Sequence, residues 1–344
     1  MPRSKDPALP APASIGAVAE RAGVSIATVS RVINGVANKA SAETALRVRE
    51  AIETLGYRPM DAGRILRQGK SRLVAVLAAN LSNPAMAAIA AGAEWALRRA
   101  GFVMVLADTH DRAELQDEYL LAMRAQYASG VVLLGAVKSK VLEAMTDRHE
   151  TPLVFVNRRN PHGRGAYVGI DNRAAGAQVA RWFAAHGLDK VALIHGRLSS
   201  SATAERVEAF VAEARRLKLT LPAARIVAGE SADHLDIGYA GMKRLLARRI
   251  PGQAVFCTSD LIAYGAHRCA EEVKAKFTYV GFDDGPLNDW LAPWLNAVRV
   301  PYGEYGSAIV RALTDGSSAR GGTTLSHEFI VRSAPGHEVP PQDS

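Results

Sequence analysis

Beyond residue 72 the sequence alternates short aliphatic runs with longer amphipathic segments, and this alternation limits the possible folds more than any other feature. The runs occupy residues 73–79, 102–107, 131–134, 153–156, 191–194, 254–257 and 277–280. Segments with helical periodicity, such as residues 86–99 and 173–186, lie between them. A strand that is aliphatic throughout has both faces buried, so the pattern predicts parallel sheets covered by helices on both sides. So many strands in about 250 residues suit two α/β lobes better than one sheet.

The region before residue 72 follows a different rule. It holds short helices and turns with no β-rich run. Val18, Ala19 and Ala22 share one helical face, and Gly23-Val24-Ser25 breaks that helix. A second helix runs toward Asn34-Gly35, where glycine is a natural stop. Ser41 can cap a third, whose buried face carries Ala45, Val48, Ala51, Ile52 and Leu55 before Gly56-Tyr57-Arg58-Pro59 ends it. A further short helical stretch, residues 61–67, leads to the polar joint Gln68-Gly69-Lys70-Ser71.

Charge follows the same division. The chain has 42 Lys and Arg against 34 Asp and Glu, a net +8. Residues 1–72 hold 12 of the basic and 6 of the acidic residues, so a fifth of the chain carries most of the excess. A basic segment of this kind points to nucleic acid. Within it, Ala19 is the small residue needed where two helices meet, and Gly23 turns the chain. Val18, Val24, Val29 and Val32 lock the angle, and Thr28-Val29-Ser30-Arg31 lies in the second helix. A helix-turn-helix requires these properties at this spacing, although a plain helical hairpin shares the apolar skeleton.

On these residues the segment resembles the N-terminus of the lac repressor family, and the likeness extends over nearly the whole chain. Arg47, Val48, Ala51-Ile52, Leu55-Gly56-Tyr57 and Pro59 resemble the family's third helix. Ala62, Arg64, Leu66 and Gly69-Lys70-Ser71 resemble its hinge. Ser82-Asn83-Pro84, Asp171-Asn172, Arg206 with Phe210, and Gly281-Phe282-Asp283-Asp284 stand where its ligand-binding core has recurring motifs. The resemblance implies an all-α helix-turn-helix head and a two-lobed core with parallel sheets, like a periplasmic binding protein. The expected division is a tail over 1–13, the head over 14–59, a hinge helix and linker over 60–71, the ligand-binding and dimerisation core over 72–332, and a flexible tail over 333–344.

Roles follow residue by residue from the same resemblance. Ile26, Ala27 and Arg31 occupy the positions that read bases. Arg31 offers a fork to guanine, and the other two offer apolar contact. Ser25, Thr28, Ser30, Asn34 and Tyr57 are assigned to phosphates, which set register without reading sequence. Leu66 matches a hinge leucine that wedges a base step from the minor groove, with an ordinary buried helix residue as its alternative. Met60-Asp61 and Gly63 depart from the usual hinge, so this helix is expected to form only on DNA. In the core, Arg206 and Asp283 match groups that grip ligand from opposite walls, a structural salt bridge being the alternative. Asn157, Arg158, Ser259, Asn83, Pro84 and Tyr302 are assigned to the same effector site.

The resemblance therefore implies a dimeric regulator that binds double-stranded operator DNA and a sugar or sugar-acid effector. A repressor released by that effector is the first expectation, and an activator or corepressor-dependent repressor uses the same parts. No cofactor, metal or catalytic residue is expected: the nine histidines are scattered, and HExxH, GxSxG and GxxxxGK[ST] are absent. Cys257 and Cys269 form no CxxC pair and are expected to be reduced and buried. The opening residues lack the apolar run of a signal peptide, which, with no run of membrane length, points to the cytoplasm and away from a secreted sugar receptor.

Overall fold

A computed structural model describes residues 13–33, 40–57, 71–231, 233–248, 253–315 and 322–333. Asn34, Leu66 and the rest of the expected hinge at 60–70 lie outside these residues, as do residues 1–12 and 334–344 of the expected tails. The chain separates into two compact units, one ending at Ser71 and the other beginning at Arg72.

In the first unit each helix boundary has a local cause. Ser14 caps α1 (Ile15–Ala22) by accepting the Ala17 amide, and Gly23 ends it in the left-handed region at φ 63°. Ser25 opens α2 (Ile26–Ile33), its hydroxyl accepting the Thr28 amide at 3.2 Å. Ser41 does the same for Thr44 at the start of α3 (Ala42–Leu55). That helix ends at Gly56, φ 59°, so left-handed glycine rather than the later proline stops it. Val18, Ala19, Ala22, Val29, Val48, Ala51 and Tyr57 form the small core that fixes the three helices.

The second unit contains two six-stranded sheets. The first has the order β11-β5-β4-β3-β1-β2 and is parallel throughout. Its strands are β1 (Leu73–Ala78), β2 (Val103–Asp108), β3 (Gly130–Leu134), β4 (Leu153–Val156), β5 (Ala166–Ile170) and β11 (Gly322–Leu325). Helices α4 (Pro84–Arg99), α5 (Ala113–Ala125) and α6 (Lys140–Arg148) connect them. The second sheet has the order β12-β10-β9-β8-β6-β7, and only β12 runs antiparallel. It is built from β6 (Val191–His195), β7 (Ile226–Ala228), β8 (Ala254–Cys257), β9 (Thr278–Asp283), β10 (Leu295–Arg299) and β12 (Glu328–Ile330). Helices α7 (Asn172–Ala185), α8 (Ser201–Arg216), α9 (His234–Ala247), α10 (Asp260–Glu272) and the short α11 (Asn288–Leu291) accompany it. The last helix, α12 (Tyr302–Thr314), packs on α4 of the first lobe. The chain therefore passes between lobes near residues 171, 301 and 326, and three strands of polypeptide join them.

Six of the seven aliphatic runs become buried strands of these sheets; the other, β2, is an edge strand with Val103, Val105 and Leu106 exposed, so its aliphatic run does not mark burial on both faces. Five further strands carry weaker signals. In β10, Asn296 is fully buried among apolar neighbours; it accepts the Arg332 amide at 2.8 Å and donates to the Tyr279 carbonyl at 3.2 Å. A buried amide is acceptable when it is satisfied in this way, but it interrupts the aliphatic run in the sequence.

One close approach places the helix that carries Arg206. Gly176 on α7 meets the backbone carbonyl of Arg206 on α8, where a Cβ would collide with main-chain atoms. Phe183, Phe210 and Phe256 fill the space beside it, with ring centroids 6.1 and 4.9 Å apart along the series. Gly176→Ala is expected to push α8 outward and destabilise the core by about 1–3 kcal/mol. A urea unfolding curve with an unchanged midpoint would show that α8 has room to move.

Candidate functional site

Open α/β sheets leave a crevice at the carboxyl ends of their strands, and here two such edges face each other. The cleft between the lobes has a volume of about 370 Å³. Asn80 and Asn83 reach it from beyond β1, Asp111 from beyond β2, and Asn157 and Arg158 from beyond β4. The opposite wall carries Arg206, His234, Thr258, Ser259 and Asp283. Six of the expected effector residues thus meet in one place: Asn83, Asn157, Arg158, Arg206, Ser259 and Asp283.

Two expected residues do not line it. Pro84 is the first residue of α4, where its fixed φ suits a helix start, and Asn83 beside it faces the cleft. Tyr302 begins α12 and packs near Tyr305, ring centroids 6.1 Å apart. Its hydroxyl is buried without a well-formed hydrogen bond, close enough to Asp283 for each to affect the other's ionisation.

Arg206 is buried and stands on the same wall as Asp283, not on the opposite one that the resemblance implied, and the alternative salt bridge between the two is not formed. Nε donates to Asn172 Oδ1 at 2.8 Å and Nη1 to the Thr258 carbonyl at 3.0 Å. The guanidinium carbon lies 3.4 Å from the centroid of the Phe282 ring, a cation–π geometry. Its fixed partners are neutral, so Asp283 acts on it through space. Burial pulls the Arg206 pKa below its ordinary value, and Asp283 opposes this.

Asp283 ends β9 at φ 108°, and Asp284 follows at φ 55°. Positive φ on consecutive non-glycine residues persists only where surroundings enforce it. The anchor is Asp284, which accepts from Arg299 Nε at 2.7 Å and Asn288 Nδ2 at 3.0 Å and pairs with Arg332 Nη1 at 2.7 Å. The two carboxylates therefore have separate tasks, Asp284 holding the turn and Asp283 facing the cleft. Burial pushes the Asp283 carboxyl up to about 6, against the pull of Arg206.

Several lining groups carry no family signal in the sequence. Asp111 pairs with Arg158 at 2.6 Å, from a turn in which His110 and Asp111 both have positive φ. Polar residues directly after an aliphatic run were the available clue. His234, at the start of α9, bonds through Nδ1 to Ser259 Oγ at 2.9 Å, and nothing in its sequence context marks it.

In the helical unit, Ser25, Ile26, Ala27 and Arg31 are exposed along one face of α2. Ile26 is 53% exposed, a costly position for an aliphatic side chain that meets only water. Thr28 and Ser30 are half-buried. Tyr57, expected at a phosphate, has its ring in the head's core, so its packing role is structural and only the hydroxyl could reach DNA.

Two family models match the chain. One describes a periplasmic binding protein domain and covers residues 74–289; the other describes bacterial regulatory proteins of the lacI family and covers residues 14–60. The HTH-type transcriptional regulator MalR of Streptomyces coelicolor is 31% identical over 351 residues, spanning 94% of this chain and 98% of the relative. A cellobiose complex of the transcriptional regulator CelR is 28% identical, with a TM-score of 0.68 over 94% of this chain and 99% of that one. The lac repressor dimer bound to operator and an anti-inducer shares the fold, with a TM-score of 0.81 at 22% identity over 94% and 99% of the two chains.

The raised Asp283 value has a definite consequence. Its folded pKa exceeds 3.8, so its contribution to stability is complete below pH 3.8 and is lost as pH rises through about 6. Asp283→Asn is expected to remove that loss, gaining about 1–3 kcal/mol on wild type between pH 4 and 7 without ligand. Parallel urea titrations at the two pH values measure the difference. A gap that does not change with pH would mean that Asp283 titrates as an ordinary carboxylate.

Proposed function

The chain belongs to the lacI family of bacterial regulatory proteins and is a ligand-responsive, DNA-binding transcription regulator, and from that premise we propose that it is a homodimeric repressor released from its operator by a sugar or sugar-acid effector. The observation that carries this reading is the cleft, whose two walls belong to different lobes. A ligand touching Arg158 on one wall and Arg206 and Asp283 on the other favours one lobe arrangement over another. Only such differential binding can move an equilibrium. The sugar class is supported by the similar regulator CelR, solved as a cellobiose complex. It also suits a cleft in which an aspartate can accept hydroxyls and arginines can donate.

On the DNA side, Arg31, Ile26 and Ala27 would read bases from the exposed face of α2, while Ser25, Thr28 and Ser30 hold phosphates. Asn34 would extend that phosphate row and Leu66 would supply the hinge wedge. An operator with two half-sites requires two heads, which supports a homodimer. No described helix is long and apolar enough to cross a membrane, and regulation of transcription puts the protein in the cytoplasm. The cleft serves binding, and no catalytic role is assigned to it.

Arg31→Ala is expected to cost about 1–3 kcal/mol at the correct operator and to relax base choice at one position, with little change on unrelated DNA. Gel shifts on the protein's own promoter and on point-substituted operators measure both effects. Equal weakening on every sequence would make Arg31 a phosphate contact. Sedimentation should give a dimer, and a monomer binding one half-site tightly would contradict the two-head reading.

A further inference from the structure

The cleft has an uneven supply of hydrogen-bonding groups, because its capping residues have already engaged an acceptor within the protein. Asn80 Oδ1 accepts the Ser82 amide and Asn83 Oδ1 accepts the Ala85 amide, both at 2.9 Å. Each therefore presents its NH2 group to a ligand. Ser200 and Ser231 likewise accept the amides of Thr203 and Asp233, which leaves their O–H protons to donate.

The groups at the floor add to the same bias. Ser259 Oγ accepts the Ile262 amide at 3.3 Å and bonds His234 Nδ1 at 2.9 Å. In the tautomer in which the serine proton goes to Nδ1, the imidazole proton sits on Nε2 as another donor. Burial, then Arg158 and Arg206, hold the His234 pKa below its ordinary value, with Asp233 opposing them. Four arginines line the cleft, Arg112, Arg158, Arg197 and Arg206, against the two aspartates Asp111 and Asp283, and of the four Arg112 pairs with Glu114 outside it. Asp111 is already paired with Arg158, so Asp283 is the carboxylate left for a ligand.

A neutral sugar brings hydroxyls that donate as readily as they accept, and among the lining residues Asp283 is the carboxylate not already paired, the other side-chain acceptors being neutral amide, hydroxyl and imidazole groups. A buried donor left without a partner loses its hydration for nothing. A ligand matching this inventory has several acceptor oxygens and a negative charge at one end, with hydroxyls at the other.

Resting on the effector reading above, we propose that the cleft selects an anionic polyhydroxylated ligand, whose carboxylate or phosphate oxygens lie among Arg158, Arg206 and His234 while Asp283 accepts a hydroxyl. Asp111 then sets the affinity: it competes with the ligand for Arg158, keeping that guanidinium in position but partly neutralised when the site is empty.

The test uses full-length protein and matched sets built on glucose, galactose and mannose, each comprising the free sugar, its aldonate and its 6-phosphate. Thermal shift and calorimetry are expected to find at least one anion bound about tenfold or more tighter than its parent sugar, the margin of one charge-assisted contact. Arg158→Gln should remove that margin, weakening the anion about tenfold more than it weakens the parent sugar. Asp111→Asn should tighten the anion severalfold, which a merely structural ion pair would not do. The better of aldonate and phosphate ester identifies the anionic group. Parent sugars binding as tightly as their anions would overturn the anionic assignment and leave the effector reading standing. If no member of any set stabilises the protein, the polyhydroxylated-effector reading fails, and the assignment fails with it.

Discussion

The buried guanidinium of Arg206 is the interaction on which the proposed effector response depends. A cation removed from water needs compensation, and here the protein supplies an amide oxygen, a main-chain carbonyl and the face of Phe282. None of these carries a formal negative charge. The cleft therefore holds an incompletely neutralised cation on the same wall as a carboxylate that burial makes reluctant to ionise. A ligand that gives the cation acceptors and the carboxylate donors relieves both costs together. Because the two residues stand on one lobe and Arg158 on the other, that relief is tied to how the lobes are arranged.

Rigid placement makes the arrangement selective. Gly176 lets α7 and α8 meet backbone to backbone, which fixes Arg206 along the cleft axis. Asp284, tied to Arg299, Arg332 and Asn288, enforces the unusual turn that aims Asp283 into the cleft. On the other wall, the αL residues His110 and Asp111 place a carboxylate on Arg158. Polar groups at strand ends thus become a binding surface because strong local contacts hold otherwise unfavourable backbone conformations.

Much of this was legible in the sequence, and the reasons differ by element. The central strands were readable because burial on both faces demands continuous aliphatic runs. Strands β10 and β12 were not, since Asn296 and Glu328 interrupt the pattern and their partners are distant in sequence. The head could be read from its caps, where Ser41 and Gly56 act through local chemistry. In the cleft, motif resemblance found Arg206 and Asp283 but expected them on opposite walls, whereas both stand on the same lobe, with Arg206 bound to Asn172 and Thr258. Tyr302 was expected on the wall and has its hydroxyl buried beside Asp283 instead. The roles of Asp111 and His234 come from tertiary contacts with Arg158 and Ser259, which no local pattern encodes.

The central claim is that ligand in the cleft and operator at the head are coupled through one equilibrium of the chain. Linkage requires such coupling to be reciprocal. The direct measurement is calorimetric titration of the effector into the protein with and without saturating operator duplex, set beside operator affinity with and without saturating effector. The account predicts that operator weakens effector binding by the same factor by which effector weakens operator binding. An effector affinity unaffected by operator, while operator binding still falls on adding effector, would contradict it.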